Sequence, residues 1–166
     1  MNSKTFYTYA YRLLEDRTPL AVDCGQLCGA ACCEGDEETG MYLFPGERHM
    51  YRSRPAWMRV EKSDFIYMPG RAVDIAICTP WCDRALRPLA CRIFPLIPYI
   101  RNGKAEVIMD PRGRAMCPLA KAMHKSELDG DFVRRVEYIA RLMMRIAPVR
   151  AYLVQLSRLI DEQTMF

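Results

Sequence analysis

The stretch Cys24–Cys33 reads CGQLCGAACC, four thiols in ten positions, and four more cysteines follow at 78, 82, 91 and 117. Thiolate is a strong ligand for Zn²⁺ and for iron–sulfur clusters, and both commonly take four ligands. Eight cysteines therefore allow two four-thiolate sites, or one cluster with spare thiols. Spacing alone does not choose between them. Three pairs share one gap: Cys24/Cys28, Cys28/Cys32 and Cys78/Cys82. That gap lets both sulfurs point one way, across a helical turn or around a tight loop. Gly25 and Gly29, inside the first set, argue for a loop whose backbone N–H groups face sulfur. Cys32 and Cys33 are neighbours, and neighbouring side chains diverge in regular structure. One of them is expected to serve a second centre, stay a free thiol or line the pocket.

A zinc ribbon would carry paired C-x2-C knuckles, and this chain has none. Bacterial ferredoxin spacing is absent too, although Cys117-Pro118 matches its Cys-Pro step. An iron–sulfur centre is favoured over zinc, because the thiols outnumber one zinc site and lack the knuckles. The candidate ligands are Cys24, Cys28, Cys32, Cys33, Cys78, Cys82, Cys91 and Cys117.

Polar neighbours refine this reading. Arg87 and Arg92 flank Cys91 and would offset the excess negative charge of a thiolate centre or hold an anionic substrate against it. Equally, they would salt-bridge to the acidic run Glu34, Asp36, Glu37 and Glu38. Trp81, between Cys78 and Cys82, is expected to shield the centre from water. Glu47 is a carboxylate ligand or, preferably, a charge at a helix N-terminus. His49 and His124 stand in no ligand-like spacing with a cysteine. No serine has a nucleophile-elbow context.

The pattern CGQLCGAACC, GMYLFPGE, CDRALRPLACRIFPL and a lone Cys-Pro resembles the YkgJ-type cysteine-cluster proteins, a family described as zinc- or iron-chelating. The matching residues are Cys32-Cys33, Cys82, Arg87-Pro88, Cys91-Arg92 and Phe94-Pro95, within roughly residues 24 to 118. The element Arg-Pro-x-x-Cys-Arg-x-Phe-Pro is the most specific part. The first cysteine group is C-x3-C-x3-CC, wider than the family's two-residue gaps, which leaves the ligand set open. A distant relative is the flagellin lysine N-methylase, which implies iron–sulfur-dependent methyl transfer as an alternative. This chain has no Gly-rich loop for S-adenosylmethionine after a strand, and Ala31 stands where a C-x3-C-x2-C motif needs its third cysteine.

The elements that must position these residues read as α+β. Residues 4–15 carry Phe6, Tyr7, Ala10, Leu13 and Leu14 at helical spacing. MYLFP is a short strand or turn entry, and GERHMYR one or two helical turns. WMRVEKSDFIYM and RAVDIAIC read as strands joined at Pro69-Gly70. The run from Cys91 to Asp110 reads as a hairpin turning at Asn102-Gly103, its first arm an edge strand or irregular because of Pro95 and Pro98. Phe132, Val136, Ile139, Met143 and Ile146 form one helical stripe, with Asp129 or Asp131 as N-cap. Pro148 begins the next helix, whose buried face is Val149, Tyr152, Leu153, Leu156 and Ile160. The expected architecture is a small cysteine-rich metal-binding core with short antiparallel strands, an N-terminal helix and a C-terminal helical hairpin.

At 166 residues the chain fits a single domain, 1–166, with a cysteine-rich part at 18–120 and the hairpin at 126–163. Of 24 basic residues 19 are Arg and five are Lys, and they are scattered, so nucleic acid is not an expected partner. The N-terminus lacks a secretory pattern. The most apolar run, YIARLMMRIAPV, is interrupted by Arg141 and Arg145, so no membrane partner is expected. A cytoplasmic location with reduced thiols follows, which argues against a disulfide framework. Three functions fit: a chelating protein with a metal ion as its partner, a modifying enzyme, or a redox or metal sensor that exposes the Met-rich hairpin to a protein partner.

Overall fold

Phe6, Tyr7, Ala10 and Leu14 fall on one helical face and all are buried. The first three belong to α1, Ser3–Leu13, whose start is fixed by the Asn2 side chain accepting from Thr5 N at 2.9 Å. The computed structural model describes residues 2–33, 40–51, 53, 55–79 and 82–164. After α1 come α2, Cys24–Cys28, and a 3₁₀ turn, Ala31–Cys33.

Three strands follow: β1, Gly40–Tyr42; β2, Met58–Met68; and β3, Arg71–Cys78. They form an antiparallel sheet in the order β1-β3-β2. Gly70, at φ +69°, takes the left-handed corner between β2 and β3. Gly40 faces Ile77 and Met58 faces Cys78, so the register brings the end of β3 beside both partners.

The next segment departs from the expected hairpin arm. Cys91–Ile93 is helical, part of α3, Leu89–Ile93, and the strand β4 begins only at Leu96 and runs to Arg101. The cause is local. Pro88 precedes the helix, Glu47 accepts its first N–H, from Leu89, and Pro95 can neither donate to a helix nor tolerate one before it. β4 pairs with β5, Lys104–Met109, through a turn in which Asn102 and Gly103 both have positive φ. This ribbon has only two strands, so Pro98 sits in β4 at no cost to a third.

Cys117 precedes α4, Pro118–Ala122. α5, Gly130–Met143, starts where the Asp129 carboxylate accepts from Phe132 N at 2.8 Å. α6, Ala147–Thr164, begins with Pro148 in its first turn. Every residue of the two expected apolar stripes is buried. α5 packs on β5 and β4, and α6 on β4 and β2. The Ser157 hydroxyl locks α6 to the ribbon, accepting from Ile100 N while donating to Leu153 O, each at 2.8 Å.

The protein is α+β. Its main apolar core joins α1, α5, α6 and the β4–β5 ribbon. A smaller one, Leu43, Tyr51, Met58, Val60 and Ala76, lies at the three-stranded sheet, with Cys78 packed at its margin. Among the described residues no helix is long and apolar enough to cross a membrane.

Candidate functional site

The cysteine segments are shaped by caps. The Asp23 carboxylate accepts from Gly25 N at 3.1 Å and starts α2, a single turn that carries Cys24 and Cys28. The sequence reading placed a loop here. The structure has a helical turn instead, with Gly29 as its left-handed cap at φ +64°. Ala30 is left-handed as well, at φ +58°, and the two residues reverse the chain into the turn bearing Cys32 and Cys33.

That reversal overturns a second expectation. Cys32 and Cys33 do not diverge: both line one small cavity, of about 70 Å³, together with Cys78, Cys82 and Cys91. Gly29 and Ala30 turn the chain back, and the 3₁₀ turn Ala31–Cys33 then presents both residues to the cavity wall. Cys78 arrives at the end of β3, Cys82 just before the 3₁₀ turn Arg84–Leu86, and Cys91 on α3. Met41 and Pro88 complete much of the wall.

The remaining thiols form a neighbouring group. Cys24 is pushed to a higher pKa by burial first, then by the charges of Asp23, Cys28 and Cys117. Cys28 donates to Cys24 O at 3.4 Å. Cys117 is buried, and its N–H donates to Gly113 O at 2.8 Å. Cys32 lies between the two groups, close enough to both Cys91 and Cys24 to feel their charge. All eight cysteines are free thiols.

Cys82, Cys33 and Cys32 act on one another's protonation. The neighbouring Cys33 is the largest cause of the high pKa of Cys82, and it pulls Cys32 below the usual thiol value. Burial, then the neighbouring Cys82 and Cys33, pushes Cys78 up to about 11. Burial likewise raises Cys91. Arg87 opposes the rise at Cys78 and Cys82, its Nε donating to Cys82 Sγ at 3.1 Å.

Arg92 does not reach sulfur. It donates from Nε to Arg87 O at 2.8 Å and from Nη2 to Ala85 O at 2.6 Å, and its guanidinium lies over the Tyr11 ring at 4.4 Å. It therefore holds the loop that presents Arg87. Arg84 links the two cysteine segments, donating to Asp23 Oδ1 at 3.4 Å and to Arg17 O at 3.0 Å. Trp81 and the acidic run Glu34, Asp36, Glu37 and Glu38 lie outside the described residues.

Glu47 is wholly buried and accepts from Tyr11 Oη at 2.6 Å, Leu89 N at 2.5 Å and Phe44 N at 3.0 Å. Its carboxylate sits at the N-terminus of α3, two residues before Cys91. Tyr51 joins the network through Tyr11 at 2.9 Å. The sequence reading gave Glu47 a helix-terminal charge but missed its tyrosine partners, which only the packing of α1 against the turn Glu47–Tyr51 brings together. His124 caps the turn Lys125–Glu127 and is exposed, remote in role from the thiols.

No family model, no curated protein and no solved structure matches the chain. The resemblance in its cysteine pattern stands on the motif residues alone.

Five thiols around one small cavity, one of them held by a guanidinium, are a donor set suited by type to a thiophilic metal. Among the described residues no group of three or more His, Cys, Asp or Glu side chains is spaced to hold a metal ion as it stands. Loading a metal would require the sulfurs to draw together by side-chain rotation.

Proposed function

We propose that this chain is a metal-chelating protein that holds an iron–sulfur centre, or zinc, through its cysteine cluster, as its resemblance to the YkgJ-type family implies. One observation carries the reading: Cys32, Cys33, Cys78, Cys82 and Cys91 come from three separate chain segments and line a single cavity. Thiols shed their protons on binding metal, and the metal's positive charge then offsets their mutual repulsion. Arg87 offsets the negative charge that remains. Cys24, Cys28 and Cys117 supply either a second site or spare ligands. A reducing, cytoplasmic compartment suits eight free thiols.

The test is anaerobic purification followed by an absorption spectrum and elemental analysis. Iron–sulfur gives brown charge-transfer bands with matching iron and sulfide. Stoichiometric zinc in a colourless protein would replace iron–sulfur with zinc, and neither metal would end the chelation reading. On removal of the metal, the melting temperature should fall while the helical circular dichroism persists. Most of the main core comes from α1, α5, α6 and the β4–β5 ribbon, with α3 adding Leu89 and Ile93 and β3 adding Val73.

A redox-sensing role is the second reading. Cys32 is exposed and has a lowered pKa, and it sits next to Cys33, features of a thiol that reacts with oxidants and is then resolved by a neighbour. Peroxide treatment of apoprotein, followed by mapping of disulfides, tests it.

A further inference from the structure

A second cavity, of about 350 Å³, shares Gly40 and Met41 of β1 with the thiol cavity. α3 divides the two, giving Cys91 to one and Ala90 and Ile93 to the other. The walls of the second are mostly apolar, among them Phe44, Ile75, Phe94, Leu96 and Leu156. Concave apolar walls with a few converging polar groups are the usual form of a small-molecule site.

Two polar groups here have unused capacity. Tyr152 is only 3% exposed, and its hydroxyl forms no hydrogen bond with any described residue. The ring is held edge-on by Phe44 at 5.5 Å, with Phe65 at 5.8 Å and Tyr67 at 6.3 Å. The hydroxyl is not among the described side-chain atoms buried without a partner, so it opens on the cavity that Tyr152 lines. Arg112 lines the same cavity. Its Nε and Nη2 donate to the Asp110 carboxylate at 2.9 and 2.7 Å, while Nη1 has no partner among the described residues.

We propose that this cavity binds a small uncharged molecule with an apolar body and a carbonyl-type oxygen, which accepts from the Tyr152 hydroxyl and from Arg112. The oxygen follows from the donors, since a guanidinium can only donate. Neutrality follows from Asp110, which already offsets Arg112 and would repel an incoming carboxylate. The apolar body follows from the walls. Its position against β1 and α3 places the bound molecule one layer from the thiols, but the pocket needs no metal to form.

Prodan, a neutral naphthyl ketone whose emission moves to the blue in apolar surroundings, tests this on the full chain. The expected result is a saturable one-to-one titration with blue-shifted emission. Tyr152→Phe should weaken binding about fivefold, the loss of one hydrogen bond, and leave the melting temperature unchanged because the hydroxyl serves no partner in the free protein. Met116→Trp, at an exposed wall residue, should narrow the cavity and also weaken binding without altering the fold. The matching naphthoate should bind more weakly than the ketone. Absence of a saturable shift, wild-type affinity in Tyr152→Phe, or a drop in its melting temperature would each overturn the site. A naphthoate that binds more tightly than prodan would overturn the assignment to an uncharged ligand.

Discussion

The Arg87 guanidinium donates to the Cys82 sulfur at 3.1 Å, and its own carbonyl accepts from Arg92 Nε at 2.8 Å. One arginine thus touches the thiol while the other fixes the backbone that presents it. Burial disfavours the charge of Arg87, but its bond to Cys82 and the nearby cysteines outweigh that and raise its pKa. Removing such a supporting partner typically weakens metal binding by roughly ten- to a hundredfold. Arg87→Leu should fall in that range and Arg87→Lys near its lower end, measured by competition with a chromogenic chelator under anaerobic conditions. Unchanged affinity in Arg87→Leu would show that the guanidinium does not serve the bound state.

Glu47 ties three elements together: α1 through Tyr11, the backbone at Phe44, and α3 through Leu89. Glu47→Ala leaves the buried N–H groups of Phe44 and Leu89 without their acceptor, while Tyr11 can turn to Tyr51. At about 1–3 kcal/mol for each group left unpaired, the variant should lose about 2 kcal/mol or more in urea unfolding. It should also loosen α3, and with it the thiol of Cys91.

The same carboxyl makes stability depend on pH. Burial raises the folded-state pKa of Glu47 above the ordinary value of 4.5, against the pull of its donors and Arg92. The folded form therefore holds its proton to higher pH than the unfolded form. Its contribution is complete below the unfolded value and is lost as pH rises through the folded one. Unfolding free energy in urea, followed upward from pH 4.5, should fall in the wild type relative to Glu47→Gln. Parallel curves would mean that Glu47 is ionised throughout that range.

The contrast between α5 or α6 and the cysteine segments shows what a sequence makes legible. The stripes of α5 and α6 repeat at helical spacing over many turns, and all their members are buried as expected. The Asn102-Gly103 turn and the β2–β3 pair were likewise readable, because positive φ and alternating apolar residues leave local signatures. Around the thiols the determining contacts are remote in sequence. The start of α3 depends on Glu47, and the path into the turn bearing Cys32 and Cys33 on the reversal at Gly29-Ala30. Ala30 in particular gives no hint, since alanine rarely takes a left-handed φ. The second cavity had no motif at all: Tyr152 belongs to a regular stripe, and only the third dimension shows its hydroxyl unpaired.

Gly40 is the residue at which both cavities depend on the lack of a side chain. A methyl group there would meet Ala76 O at 2.5 Å and Ile75 Cγ1 at 2.8 Å. The first contact is with the backbone of β3, so no side-chain rotation relieves it. Gly40→Ala should force β1 away from β3, at a cost of about 1–3 kcal/mol as for other overpacked sites. Hydrogen exchange should speed up at Leu43 N, whose N–H donates to Asp74 O at 2.8 Å. A variant with wild-type stability and exchange would show that β1 can shift freely.

Cys32 should be the first of the eight thiols to react with an alkylating agent in the metal-free protein. The thiolate is the reactive form, and two independent features favour it here. The neighbouring Cys33 thiol lowers the pKa of Cys32, whereas burial or a neighbouring thiol that acts as acceptor raises those of Cys24, Cys33, Cys78, Cys82 and Cys91. Cys32 is also exposed, whereas Cys117 is buried. Limiting iodoacetamide followed by peptide mass spectrometry should label Cys32 ahead of the rest, with a rate that rises at lower pH than for an ordinary thiol. Cys33→Ala removes the donor and should slow that labelling severalfold, while Cys33→Ser, which keeps a hydroxyl donor, should slow it less. If Cys33→Ala labels as fast as the wild type, exposure alone governs Cys32 and the sulfur-to-sulfur bond contributes nothing to its reactivity.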